Sequence, residues 1–257
     1  MSNAVLFEPL LAINNMEIKG YRECRECGHQ WSYYETGNVQ CPECGSIKST
    51  GLDERTLHTN NPVEIDITSI QSLVSNDEFR QAGQRAAKEA RNYTIKRGFI
   101  HKGDLIRCDE RIFSCHELRN LGNYINRTAS ITEETEYYFI ETIQAVKNSG
   151  RPDQQAIPKN LRSIRGLAYA RAAKDYLNDV TTWIEYADHE LPSGGVLERT
   201  KENIKRVEAL DGDISIGDSE RIYEIVANLY SYCTTGEIST YEQIEEYLSN
   251  LEKFQDS

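Results

Sequence analysis

The first part of the chain, from Glu17 to about Gly51, consists of short segments in which apolar and polar residues alternate. Alternation with a period of two is typical of small antiparallel strands, and the glycines and clustered aromatic residues here agree with that prediction. The segment 35–38 predicts a hairpin turn between two strands. Residues 53–61 are polar, lack helical periodicity and end before Pro62, so a linker is predicted after this β unit.

After Asn76 the spacing of apolar residues changes to three and four, which predicts helices throughout the rest of the chain. Asn76 is the predicted N-cap of the first helix, and Ser130–Glu133 and Ser239–Glu242 have the spacing of capping boxes. Residues 151–158 predict a loop, and Pro192 ends the longest helix. The predicted buried stripes are Phe79/Ala82/Ala86/Ala90/Tyr93, Ile112/Cys115/Leu118/Leu121/Ile125, Tyr137/Ile140/Ile143, Ile164/Ala168/Ala173/Leu177/Val180/Ile184, Leu197/Ile204/Val207, Ile222/Ile225/Leu229/Tyr232 and Tyr241/Ile244/Leu248/Leu251.

Two Cys-x-x-Cys-Gly motifs lie in the β unit, separated by the 13 residues from Gly28 to Gln40. Two residues between cysteines let one tight turn present both thiolates to a single ion, and the following glycine can adopt a positive φ. Four cysteines leave no position for water, which indicates one structural zinc ion, although iron in a rubredoxin-like site uses similar motifs. The predicted ligands are Cys24, Cys27, Cys41 and Cys44.

The patterns together predict a small N-terminal β zinc ribbon followed by an all-α helical domain of about six to seven helices. The predicted units are residues 1–15, an extension or a misassigned start; 16–58, the zinc ribbon; 59–75, a linker; and 76–257, the all-α domain.

Composition narrows the class of protein and its cellular location. A hydrophobic content of 39% and a charged content of 27% are those of an ordinary globular protein. No apolar run approaches the roughly 18 residues that a membrane-spanning helix needs, so no membrane partner is expected. Seven cysteines, four of them in close pairs, indicate metal binding in a reducing compartment, which predicts a cytoplasmic location.

Charge is unevenly distributed along the chain. The formal net charge of −12 argues against a protein that coats nucleic acid through overall attraction. Residues 77–127, however, hold 11 Lys or Arg against 7 Asp or Glu, whereas residues 128–257 hold 13 against 24. The basic segment either pairs with acids of the same domain or contacts nucleic acid or an acidic partner. The candidate contact residues are Arg85, Lys88, Arg91 and Lys96.

The remaining candidates have plainer explanations. Trp31 and Tyr33 follow the first cysteine pair, where packing around the zinc site is favoured over stacking on bases. A second metal site is conceivable, but Cys115 lies on an apolar stripe and His116 is turned about 100° from it. Core cysteines and a surface histidine are therefore expected, and no third group orients Cys115 and His116 as nucleophile and base. The residues considered for that second site are His101, Cys108, Cys115 and His116.

Several segments resemble a family from halophilic archaea labelled "transcription factor IIB-type zinc ribbon-containing". The resemblance rests on the two cysteine motifs with Trp31, on Tyr33–Gly37 and Asp53–Thr56, and on segments of the helical part such as Arg97–Phe99 and Glu136–Phe139. It implies zinc bound by the four cysteines and implies no established activity. Only the ribbon supports the transcription label, because the helical part shows no duplication like the two cyclin-like repeats of transcription factor IIB.

Three functional hypotheses follow. The first is a non-enzymatic adaptor in nucleic-acid-linked processes, bound to RNA, DNA or a complex that handles them. The second is a protein-interaction scaffold whose zinc is purely structural and whose helical domain binds a partner. The third is an enzyme, which is disfavoured because no phosphate-binding loop or oriented nucleophile can be found.

Overall fold

The computed structural model describes residues 18–19, 21–32, 40–51, 56–57, 64–101, 104–187 and 195–252. Its short strands are β1 (Ile18–Lys19), β2 (Tyr21–Cys24), β3 (Gln30–Ser32), β4 (Ser49–Gly51), β5 (Thr56–Leu57), β6 (Ile100–His101) and β7 (Asp104–Leu105). Its helices are α1 (Ile67–Ser75), α2 (Phe79–Lys96), α3 (Glu110–Arg127), α4 (Glu133–Lys147), α5 (Arg162–Ala187), α6 (Val196–Ala209), α7 (Ile216–Thr235) and α8 (Ile238–Glu252). The predicted fold class, a small ribbon before a helical domain, is confirmed, but the described residues form eight helices where about six to seven were predicted.

The ribbon is organised around strand β2. This strand pairs antiparallel with β3 on one side and β4 on the other, so that Arg22 lies opposite both Trp31 and Gly51. Strands β1 and β5 form a separate antiparallel pair. The pairing brings the turn after Cys24 close to the segment that carries the second cysteine pair.

The helical domain is built around α5, the longest described helix. Ala168, Ala172, Ala173 and Leu177 are buried on it, and the helix packs against α3, α6 and α7. Helices α2 and α3 form the most extensive pair, and α8 closes the domain against α6 and α7. No described helix is both long enough and apolar enough to cross a membrane.

Helices α2 and α3 approach each other closely at two glycines. A Cβ atom on Gly122 would lie 2.5 Å from the carbonyl oxygen of Gly83 and 2.9 Å from the backbone nitrogen of Ala87. A Cβ atom on Gly83 would lie 2.9 Å from the carbonyl oxygen of Gly122. The absence of side chains at both positions therefore permits the backbones to touch.

The structure differs from the sequence prediction at the entrance to the helical domain. Helix α1 lies within the segment 59–75, which was predicted as a linker, and Ile67 and Ile70 on it are buried. Asn76 caps the C-terminus of α1, and α2 begins only at Phe79 with Glu78 as N-cap. A nine-residue helix shows too few apolar repeats for its period to stand out from the polar residues before it.

Helix α4 buries a different face from the one predicted. Ile143 is buried, but Tyr137 is 56% exposed and Ile140 is 43% exposed. The core contacts come from Tyr138 and Phe139 instead. Because this helix carries aromatic or aliphatic residues on both sides, apolar spacing alone cannot select the buried face.

Two further differences are local. Strands β6 and β7 form a short antiparallel hairpin in a region predicted to be helical. Thr132, not Ser130, is the N-cap of α4, and its side chain accepts a hydrogen bond from the Thr135 backbone N–H at 3.3 Å. The predicted turn at 35–38 lies outside the described residues.

Candidate metal centre and basic helix face

Each cysteine pair is held by one tight turn. The Gly28 N–H donates to the Cys24 carbonyl at 2.9 Å, and the Gly45 N–H donates to the Cys41 carbonyl at 2.8 Å. Both glycines have positive φ, +73° and +72°, and a Cβ atom at either would meet nothing within 4 Å. Glycine is therefore required at both positions by backbone conformation and not by lack of space.

The four thiol groups converge on one point. The Sγ atoms of Cys24 and Cys44 are 3.5 Å apart, and those of Cys27 and Cys41 are 3.6 Å apart. All four lie within 4.8 Å of one another, and none of the chain's seven cysteines forms a disulfide. A tetrahedron with Zn–S bonds of about 2.3 Å has edges of about 3.8 Å, so the cluster has the dimensions of one structural zinc site.

The pKa values of the four cysteine thiols explain why the cluster needs a cation. Burial raises the pKa of Cys24, but hydrogen bonds from the backbone N–H groups of Cys27 and Glu26 outweigh it and lower that pKa to about 7. The backbone N–H of His29 lowers the pKa of Cys27, but burial and the three neighbouring cysteine side chains raise it to about 12. Four adjacent sulfurs cannot all ionise without a compensating charge, which a divalent metal ion supplies.

Trp31 packs against the metal centre. Its side chain is 4% exposed and forms one buried cluster with Cys24 and Cys41. This arrangement favours the packing explanation over stacking on bases. Tyr33, the other aromatic candidate, lies outside the described residues.

No second metal centre is found among the residues that the structure describes. The four ribbon cysteines are the only group there of three or more His, Cys, Asp or Glu side chains close enough to share an ion. Cys108 and Cys115 are buried, as predicted, and burial raises the pKa of the Cys115 thiol well above its ordinary value. Cys115 thus stays protonated at neutral pH and cannot serve as an activated nucleophile.

The prediction that His116 lies on the surface is wrong. Its side chain is 3% exposed, and its Nε2 atom is 3.0 Å from Oδ2 of Asp175 on α5. Every residue of α3 from 112 to 118 is buried, because α2, α4 and α5 surround this part of the helix. Asp175 lies 59 positions away in the sequence, and no spacing signal connects the two residues.

The four basic candidates of α2 differ in their surroundings. Arg85 donates a hydrogen bond to Oδ2 of Asp66 at 3.1 Å and forms an ion pair with Oε1 of Glu89 at 3.2 Å, so its charge is neutralised within the domain. Lys96 is half-buried in the last turn, where a cation interacts favourably with the helix dipole. Lys88 and Arg91 are exposed and have no acidic partner among the described residues.

Arg80 joins Lys88 and Arg91 on the same side of the helix. It is exposed and likewise has no described acidic partner. Positions 80, 88 and 91 follow the helical repeat, with the exposed Gln84 between the first two. At 1.5 Å per residue, Arg80 and Lys88 are about 12 Å apart along the axis, and Lys88 and Arg91 about 4.5 Å. We call Arg80, Gln84, Lys88 and Arg91 the basic face of α2.

Comparison with known proteins gives one match. A family model described as a family of unknown function (DUF7117) matches residues 16–248, which include both the ribbon and nearly all of the helical domain. No curated protein and no solved structure matches the chain.

Proposed function

The chain belongs to DUF7117, a family of unknown function, and we propose that it is a non-enzymatic zinc-ribbon adaptor that contacts the phosphates of RNA or DNA. The basic face of α2 provides the contact surface, and the zinc ribbon precedes the helical domain along the chain. Zinc holds the ribbon together and takes no part in chemistry, since all four coordination positions are filled by cysteine.

The basic face is the single observation that supports this role. Arg80, Lys88 and Arg91 present three cations along one side of a helix, while the acidic Asp66 and Glu89 are engaged by Arg85. Phosphate binding is driven by Lys and Arg side chains that release counterions from the nucleic acid. A cluster of cations that has no acidic partner in the described part of the chain is therefore better placed for this contact than the rest of an acidic chain.

The cellular compartment is proposed from the cysteines and from the charge of the chain. Seven unpaired cysteines agree with a reducing cytoplasm. The excess of 41 acidic over 29 basic residues agrees with the salt-rich cytoplasm that the haloarchaeal resemblance implies. At 1 M salt the Debye length is about 3 Å, so phosphate contacts there would act only at close range.

The proposal is tested by measuring affinity for labelled single-stranded RNA and duplex DNA across a range of salt concentrations. We expect log K to fall linearly with log salt concentration. The variant Lys88→Glu/Arg91→Glu should bind all sequences more weakly and lower the slope by about two, one for each lost phosphate contact. The matched control is Lys205→Glu/Arg206→Glu, which reverses two exposed charges on α6 and should leave the slope unchanged.

A second candidate is a protein-interaction scaffold with no nucleic-acid contact. The exposed pair Tyr137 and Ile140 on α4 favours it, because large apolar side chains on a surface are common in protein interfaces. If Lys88→Glu/Arg91→Glu binds RNA and DNA as the unmodified protein does at every salt concentration, the basic face is not a phosphate-binding surface. The scaffold is then the better account.

A further inference from the structure

Helix α4 carries an acidic surface that the other described residues leave open to solvent. Four of the five charged side chains of this helix are glutamates, and Lys147 at its end is the fifth. The large side chains of Tyr137 and Ile140 are exposed among the glutamates. We call this surface the acidic face of α4, and its residues are Glu133, Glu134, Glu136, Tyr137, Ile140 and Glu141.

The carboxylates of the acidic face are not balanced within the described part of the chain. None of the four has a hydrogen-bond or ion-pair partner among the described residues. The helix dipole stabilises acidic side chains in the first turn, but its effect falls off within that turn. It therefore accounts neither for Glu141, in the third turn, nor for the exposed Tyr137 and Ile140.

The basic face of α2 offers charges at the same spacing. Eight residues separate Arg80 from Lys88, and eight separate Glu133 from Glu141, which is about 12 Å along either helix axis. Two such helices side by side therefore bring two ion pairs into register together. The aliphatic stems of Arg and Lys also cover apolar surface, so they provide a contact for the exposed apolar side chains of the acidic face.

One folded chain does not make this contact within itself. Both faces are exposed, and no ion pair among the described residues joins α2 to α4. We infer that the acidic face of α4 in one copy binds the basic face of α2 in a second copy of this chain. This contact is head-to-tail, so it extends to longer oligomers unless a ring closes. It requires no nucleic acid and is independent of the proposed phosphate contact.

Sedimentation equilibrium of the full chain, freed of nucleic acid by nuclease treatment, tests the contact. A helix-on-helix interface is smaller than the roughly 800 Å² per partner of standard complexes, so we expect a dissociation constant of about 10–100 μM at about 0.1 M salt. The weight-average mass should rise past that of a dimer as the protein concentration increases. At about 1 M salt the dissociation constant should increase about tenfold, because exposed charges are screened.

Charge-reversed variants then assign the two faces. Lys88→Glu/Arg91→Glu and Glu133→Lys/Glu141→Lys should each weaken association about tenfold or more, because like charges then face each other. An equal mixture of the two variants should associate again, since one retains the acidic face and the other retains the basic face.

The matched control is Glu242→Lys/Glu246→Lys, which reverses two exposed glutamates of α8. It changes the net charge by the same amount as Glu133→Lys/Glu141→Lys and should associate as the unmodified protein does. Tyr137→Ser removes an exposed ring of the acidic face without any change of charge and should also weaken association.

Three results would overturn the inference. The first is an unmodified chain that stays monomeric up to about 1 mM at low salt, which leaves the acidic face to a different protein. The second is a variant Glu133→Lys/Glu141→Lys that associates as tightly as the control. The third is a mixture of the two charge-reversed variants that stays monomeric. If the glutamate variant loses its helical circular-dichroism spectrum, equal association of Tyr137→Ser and the control contradicts the inference instead.

Discussion

Among individual residues, Glu117 and Arg165 are unusual because both are charged and both are completely buried in the helical core. Nη1 of Arg165 donates to Oε1 of Glu117 at 3.2 Å, and the Tyr138 hydroxyl donates to the same carboxylate oxygen. Nη2 of Arg165 donates to Glu220. Burial raises the pKa of Glu117, and the charge of Arg165 opposes that rise. Each member of the pair is tolerated in the core because the other is present.

Replacement of Arg165 by methionine should destabilise the protein by about 3–5 kcal/mol, because it leaves the buried carboxylate of Glu117 without a charged partner. Urea unfolding followed by circular dichroism measures this loss. The loss should shrink as the pH falls, since the carboxyl of Glu117, with its pKa already raised by burial, takes up a proton and loses its charge.

The control for this prediction is Arg162→Met, one turn earlier on the surface. Arg162 bonds to Oδ1 of Asp213 at 2.8 Å, and both side chains are half exposed or more. Exposed pairs contribute about 0–1 kcal/mol, so this variant should lose little. Equal stability of the two variants would mean that Arg165 and Glu117 are not a buried pair.

The sequence could predict the zinc ligands but not these core charges. The cysteine ligands are close together in pairs along the chain, and their chemistry is carried by the spacing itself. Glu117 and Arg165 are 48 positions apart, and in the sequence each resembles the other charged residues of its helix. Nothing in a single sequence indicates that two such residues meet, and the same holds for His116 and Asp175.

Among the secondary-structure elements, the crossing of α2 and α3 depends on the smallest side chains. Both helices show the predicted stripes, with Ala82 and Ala86 buried on α2 and Leu118 and Leu121 buried on α3. Gly122 brings the two backbones into contact beside these stripes. Apolar spacing predicts the buried faces of α2 and α3 correctly because the apolar residues of each helix lie on one side. Helix α4 has apolar residues on both sides, and the spacing there predicts the wrong face.

Gly122→Ala should lower the free energy of unfolding by about 1–3 kcal/mol, because its methyl group would collide with backbone atoms of α2. Alanine is otherwise the better helix former by about 1 kcal/mol. Gly217→Ala in the first turn of α7 is the matched control, since its Cβ atom would meet nothing closer than 3.7 Å. Thermal unfolding should show a decrease in Tm for Gly122→Ala and none for Gly217→Ala. A Tm for Gly122→Ala at or above that of the unmodified protein would show that the helices are not in contact there.

Across the whole molecule, the ribbon and the helical domain draw their stability from different sources. Cys24, Trp31 and Cys41 form one buried cluster, and the apolar residues of α1–α8 form another. The three buried side chains among the described ribbon residues are too few to hold a fold, so we expect the ribbon to depend on metal binding, which can supply on the order of 10 kcal/mol. The sequence predicted this division but placed the start of the helical domain too late, because α1 was missed.

The metal content of the purified chain, measured by elemental analysis, tests this account most directly. We expect about one zinc ion per chain. Cys41→Ser removes a buried ligand and should lose most of that zinc, whereas Cys233→Ser alters a half-buried cysteine of α7 and should retain it. Freshly purified protein that contains no zinc, that contains iron in its place, or that keeps its zinc after Cys41→Ser would contradict the account.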